Sequence, residues 1–176
     1  YMSTLPVFKL EDYLSKKEFN CKYFLSSSDL ESRPISSLLV TKKDQESFLN
    51  LNLGYTTTQG CEEIRTILAK DYQPCSFDDI LSFAGAEEGI YATMRTFLKK
   101  DDHVIVMTPG YESHQTLPAS ICQWSPWELK LNHENNWELD LDTLKKKIQK
   151  NTKMIIVNFP HNPTGFIPTP QCFNEL

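Results

Sequence analysis

A chain of 176 residues holds one domain or a little more. Its 40% apolar and 11% aromatic residues can build a core, which excludes a disordered or fibrous protein. Eighteen Lys and Arg against 23 Asp and Glu, a formal charge of −5, exclude a general grip on phosphate backbones and so disfavour nucleic acid as a partner.

Residues 1–50 are polar and serine-rich, with short helices predicted over 9–19 and 43–49 on either side of the stretch 26–37 and no complete core. From Gly54 onward helical and strand-like segments alternate, the signature of an α/β layered domain. Ile64, Ile67, Leu68 and Tyr72 repeat at helical spacing, as do Ile90, Met94, Phe97 and Leu98, and then Leu141, Leu144 and Ile148. Between them, the continuous apolar runs 80–83, 104–107 and 154–157 suit parallel strands covered on both faces. Trp127, Leu129 and Leu131 alternate with Glu128 and Lys130, which predicts an edge strand with one wet face. The lysines at 145–147 read as a solvated helix face.

The five cysteines, at 21, 61, 75, 122 and 172, contain no C-x-x-C pair, so neither a disulfide framework nor a zinc site is expected and a reducing, cytoplasmic setting fits. No apolar run reaches the roughly 18 residues of a membrane span, and the first residues lack the basic and apolar blocks of a signal peptide. A soluble protein with no membrane partner is expected.

Three loops carry the chemistry, because ligands of open α/β sheets bind where strands end and helices begin. The run 80–83 leads into Ala84, Gly85, Ala86, Glu87, Glu88 and Gly89. Small residues there let the backbone N–H groups of Ala86 and Glu87 meet an anion such as phosphate at a helix N-terminus. The plainer alternative is a tight turn, with both glutamates placed by the helix dipole. The run 104–107 leads into Pro109, Gly110, Tyr111 and His114, where Tyr111 is set to stack on a flat ring or else to fill the core, and His114 sits beside it or on the surface. The run 154–157 leads into Asn158, Phe159, Pro160, His161, Asn162, Pro163, Thr164 and Gly165. Two prolines bracket His161 and Asn162, a rigid frame that holds the Asn162 amide toward a ligand oxygen at little entropic cost.

Four blocks, L-G-Y-T-T-T-Q-G-C-E-E-I-R at 53–65, A-G-A-E-E-G-I-Y at 84–91, H-V-I-V-M-T-P-G-Y-E-S-H at 103–114 and N-F-P-H-N-P-T-G at 158–165, stand in the order found in the fold-type I pyridoxal 5′-phosphate-dependent aminotransferases of class I and II, which the chain resembles from about Leu51 to Gly165. The resemblance implies a three-layer α/β/α sandwich, the large domain of these enzymes, present only in part over 51–176, with 1–50 contributing an arm or part of a small domain. It implies pyridoxal 5′-phosphate as cofactor, with an amino acid and a 2-oxo acid as substrates. The backbone of Ala86 and Glu87 then holds the cofactor phosphate, Tyr111 stacks on its ring and Asn162 donates to its phenolic oxygen. His114 supports the aspartate that meets the ring nitrogen, and Tyr55 reaches the phosphate of a neighbouring subunit in a homodimer.

The departures are as informative. Many relatives carry Ser or Thr where this chain has Glu87, and a carboxylate there repels a phosphate dianion unless it is turned away or neutralised. No role is carried onto Leu25, Ser26, Ser27, Ser28 and Asp29, where relatives present a glycine-containing segment. After Gly165 come eleven residues without lysine or aspartate, and the arginines are Arg33, Arg65 and Arg95 only, so the family's Schiff-base lysine, its ring-nitrogen aspartate and a carboxylate-binding arginine have no counterpart. The chain is therefore expected to be the N-terminal, inactive part of a longer enzyme whose remaining strands separate 80–83 from the other three. The alternatives are a lyase or cyclase of the same fold and a non-catalytic module that keeps the scaffold.

Overall fold

The computed structural model describes residues 5–26, 29–132, 134 and 136–176. Ser27 and Ser28 lie outside the described residues. Contacts divide the chain into two units, Glu18–Phe83 on one side and, on the other, Ala84–Leu176 with the described residues up to Lys17, which include α1 (Lys9–Lys17). Among the described residues no helix is long and apolar enough to cross a membrane.

Within Glu18–Phe83 lie α2 (Lys42–Leu49) and α3 (Glu62–Ala69). A reciprocal cap starts α2: Thr41 Oγ1 accepts the Asp44 N–H at 3.1 Å while the Asp44 carboxylate accepts the Thr41 N–H at 2.9 Å. Among the described residues of this unit only Arg65 and Ala69, both in α3, are buried. Arg65 works on backbone: Nε donates to the Gly60 carbonyl at 3.1 Å and Nη1 to the Phe77 carbonyl at 2.9 Å. Residues 80–83, read above as a strand, are not one; they run without a ladder partner, held by the Ser82 N–H on the Gln59 carbonyl at 3.0 Å. A strand needs a ladder of such bonds, and the one backbone bond to Gln59 does not make one. Gly60, with φ of 100°, packs so tightly on Ser82 that a Cβ would strike its hydroxyl.

The other unit continues with α4 (Ala86–Phe97), β1 (His103–Thr108), α5 (Ser113–Ala119), β2 (Gln123–Glu128), a two-residue hairpin of β3 (Lys130–Leu131) and β4 (Trp137–Glu138), α6 (Leu141–Lys147), β5 (Thr152–Ile156) and α7 (Pro170–Glu175). The strands pair in parallel in the order β2-β1-β5. Alternate residues of β1 point to opposite faces, and the core divides accordingly. Val104 and Val106 meet Met94 and Leu98 at the end of α4 and Leu117 of α5, while Ile105 and Met107 meet Trp127 and Leu144 of α6. The result is an α/β/α sandwich with α4 and α5 on one face and α6 on the other. Each such side chain, fully buried, contributes about 1.5–3 kcal/mol.

Two strand expectations need correction. The edge strand is β2, as its one-sided pairing requires, but it starts at Gln123 and ends at Glu128, not at 127–131. Its Pro126 has no N–H to give and is tolerated at an edge, and the alternation from Trp127 to Leu131 runs through the strand end into the hairpin. Meanwhile β5 is not covered on both faces: the alternate residues Lys153 and Ile155, which share one face, are exposed. His103, 1% exposed at the opposite end of β1 from the loops, bridges all three strands, with Nδ1 2.9 Å from Thr152 Oγ1 and Nε2 2.9 Å from Ser125 Oγ.

Candidate functional site

The start of α4 and the loops after β1 and β5 meet. Gly85, the residue before α4, has φ of 114°, a conformation only glycine takes without strain, and nothing lies within 4 Å of where a Cβ would stand. Open space thus fronts the first turn of a twelve-residue helix, whose leading N–H groups have no acceptor within the helix. Glu88 closes the turn behind them, its Oε2 accepting the Ala84 N–H at 2.6 Å.

Side-chain bonds join the loops. Ser113 Oγ, 2% exposed, donates to Glu87 Oε1 at 2.8 Å. His161, 3% exposed, has Nε2 2.7 Å from the Pro109 carbonyl and Nδ1 2.6 Å from Thr164 Oγ1. A carbonyl only accepts, so Nε2 carries the proton and Nδ1 accepts from the Thr164 hydroxyl. The same hydroxyl oxygen accepts the Phe166 N–H at 3.2 Å. One imidazole therefore fastens the loop after β5 to the loop after β1. Burial lowers its pKa, against the hydrogen bond with Pro109.

Tyr111 is half-buried, its ring edge-on to Phe8 at 5.4 Å and to His114 at 6.3 Å, and its hydroxyl donates to Glu11 Oε1 at 2.8 Å. Next to it, Glu112 accepts the Lys9 and Leu10 N–H groups at 3.1 and 2.9 Å, capping α1. His114 lines a cavity of about 430 Å³ with Ala86, Gly89 and β5. Burial lowers the His114 pKa; the Glu87 charge opposes this and His161 adds to it.

Of the residues singled out from sequence, Ala86, Glu87, Tyr111 and His114 thus gather around one place. Asn162 stands exposed on the His161 loop, its N–H donating to Asn158 Oδ1 at 2.9 Å. Tyr55 is fully exposed in the Glu18–Phe83 unit. Sequence reasoning passed over Ser113, Glu112 and Glu11, and it gave His161 no bond of its own; only the unusual density of polar residues in E-S-H at 112–114 and the two flanking prolines signalled them.

The chain belongs to the family described as aminotransferase class I and II, whose model matches residues 25–176. It is 29% identical over 179 residues to capreomycidine synthase from Streptomyces vinaceus, covering 98% of this chain and 45% of that one. A PLP-dependent aminotransferase from Streptococcus suis 89-1591 superposes with a TM-score of 0.88 at 25% identity, over 98% of this chain and 47% of the other. The PLP-dependent cyclase OrfR matches with a TM-score of 0.82 at 25% identity, over 96% and 44%. The chain spans less than half the length of each of these relatives. The three-layer sandwich is therefore the large domain of the PLP-dependent aminotransferases, present in part.

The family implies pyridoxal 5′-phosphate, and the residues present fit it. The open Gly85 turn and the leading N–H groups of α4 suit a phosphate, and an aromatic ring stands one loop away.

Proposed function

We propose that this chain supplies the phosphate-holding half of a pyridoxal 5′-phosphate site in an enzyme that moves an amino group between an amino acid and a 2-oxo acid. The observation that carries the reading is the joining of three loops around the open Gly85 turn by the Glu87–Ser113 and His161–Pro109 bonds. When bound, the cofactor withdraws electrons from the amino-acid α-carbon. The N–H groups of Ala86 and Glu87 hold its phosphate, Tyr111 bears on its ring, and Asn162 donates to its phenolic oxygen. His114, whose pKa burial lowers, supports the aspartate that meets the ring nitrogen. The contribution of these residues is binding and orientation; proton transfer at the α-carbon belongs to a lysine not found in this sequence.

In this reading residues 1–50 supply an arm and part of a small domain, and 51–176 the first part of the cofactor-binding domain. Exposed Tyr55, with exposed Leu51 and Leu53 beside it, supports a homodimer in which Tyr55 reaches the partner's phosphate. The cysteines are all unpaired, which agrees with a cytoplasmic setting. A second reading, a cyclase, is supported by the likeness of OrfR over nearly the whole chain.

Titration with pyridoxal 5′-phosphate, followed by tryptophan fluorescence, tests the cofactor; saturable binding is expected, and its absence refutes the reading. Product analysis on the full-length protein with a panel of amino acids and 2-oxo acids tests the reaction. Amino-group transfer to the oxo acid supports transamination, whereas a cyclic product supports the second reading.

A further inference from the structure

We propose that Ser113 is a positioning residue for the cofactor phosphate: its hydroxyl turns the Glu87 carboxylate away from the Gly85 turn, which lets a residue of the wrong charge stand in the phosphate cradle. The inference rests on the proposed cofactor site. Glu87 is the second residue of α4, so its N–H faces the anion while its side chain is long enough to swing back over the same helix end. Glu88 shows the reach of such a side chain, its Oε2 on the Ala84 N–H at 2.6 Å behind the turn. A Glu87 carboxylate swung to the front of the turn would lie against a dianion.

Instead Glu87 Oε1 takes the Ser113 hydroxyl at 2.8 Å. Glu87, Glu88 and Ser113 line a cavity of about 370 Å³ with Tyr91, Thr116 and Leu117, while Ala86 and His114 line another, against β5. Among the described residues no lysine or arginine forms an ion pair with Glu87; the titratable group that feels its charge is His114. Ser113 is 2% exposed, which leaves its hydroxyl no bulk water to turn to and fixes the direction in which it pulls.

The test measures binding of pyridoxine 5′-phosphate and of pyridoxine to the full chain by tryptophan fluorescence, ligands that differ only in the phosphate. Ser113→Ala is expected to lose about tenfold in affinity for the phosphate ester and to bind pyridoxine as the native chain does. Glu87→Gln, placed in the Ser113→Ala background, recovers most of that loss, and it gains less in the native background. A Ser113 that merely supported the fold would lower both affinities and would not be rescued at position 87. Ser113→Cys, close in size with a weaker donor, falls between native and alanine and serves if Ser113→Ala folds poorly. The proposal is overturned if the native chain binds the ester and Ser113→Ala matches it, or if Glu87→Gln restores nothing; the cofactor reading then stands. If the native chain does not bind the ester, both fall.

Discussion

Replacing His161 by leucine removes the fastening between the loops after β1 and β5 while keeping an apolar side chain of similar bulk. Two short hydrogen bonds are lost, at 2.7 Å to the Pro109 carbonyl and 2.6 Å to Thr164 Oγ1, each with a net value of about 1 kcal/mol. The Thr164 hydroxyl is half-buried and can turn to solvent, whereas the Pro109 carbonyl faces the buried imidazole and is left without its donor, which costs about 1 kcal/mol more. The sum is about 3 kcal/mol. For a urea slope of about 2 kcal/mol per molar, the unfolding midpoint should fall by about 1.5 M, read by far-ultraviolet circular dichroism. His161→Gln, which keeps a donor for Pro109, should lose about half as much. A leucine variant within about 0.3 M of the native midpoint would show that the imidazole fastens nothing and that the two loops are held apart from it.

Three further outcomes are expected. His103, His114 and His161 all have pKa values lowered from 6.5 by burial, so the unfolded chain binds more protons between those lowered values and about 6.5. Thermal stability should therefore be full above about pH 6.5 and fall as pH drops through the lowered values, and His103→Asn should flatten that slope; a melting temperature that rises on acidification contradicts the argument. Trp127, 0% exposed with its Nε1–H on the Asp140 carbonyl at 2.9 Å, should cost about 3–5 kcal/mol when replaced by alanine and about 1–2 kcal/mol when replaced by phenylalanine, measured by chemical denaturation. Glu112→Ala removes the acceptor of the Lys9 and Leu10 N–H groups and should speed hydrogen exchange through α1, leaving the amides of β1 unchanged.

What could be read from the amino acids was what local pattern controls. The run around Val104 to Met107 announced a strand because all four side chains had to be buried, and they are. The spacing of Ile90, Met94 and Leu98 announced α4 because one stripe of a helix faces one layer. Residues 80–83 are apolar but for Ser82, yet no described segment forms a ladder with them, and pairing is a property of two segments, not of one. The start of β2 was missed for a related reason: Gln123 to Pro126 show no apolar alternation, and their place follows from register with His103 to Val106. In the site, the backbone features at Gly85 and the aromatic at 111 were legible since their chemistry is written in single residues. The Glu87–Ser113 contact spans 26 positions and the His161–Pro109 contact 52, and nothing local encodes either.

The capping of α1 by a glutamate 103 positions downstream also has a bearing on how the molecule is made. Closing so long a loop costs only about 0.6 kcal/mol more than closing one half its length, so distance is a small thermodynamic burden. Time is a larger one. At about 5–20 residues per second the ribosome delivers Glu112 roughly 5–20 s after the helix it caps, and through that interval the helix has a bare amino end and Phe8 has no tyrosine to lie against. Anything fused ahead of that helix would compete for it before its own dock has been synthesised.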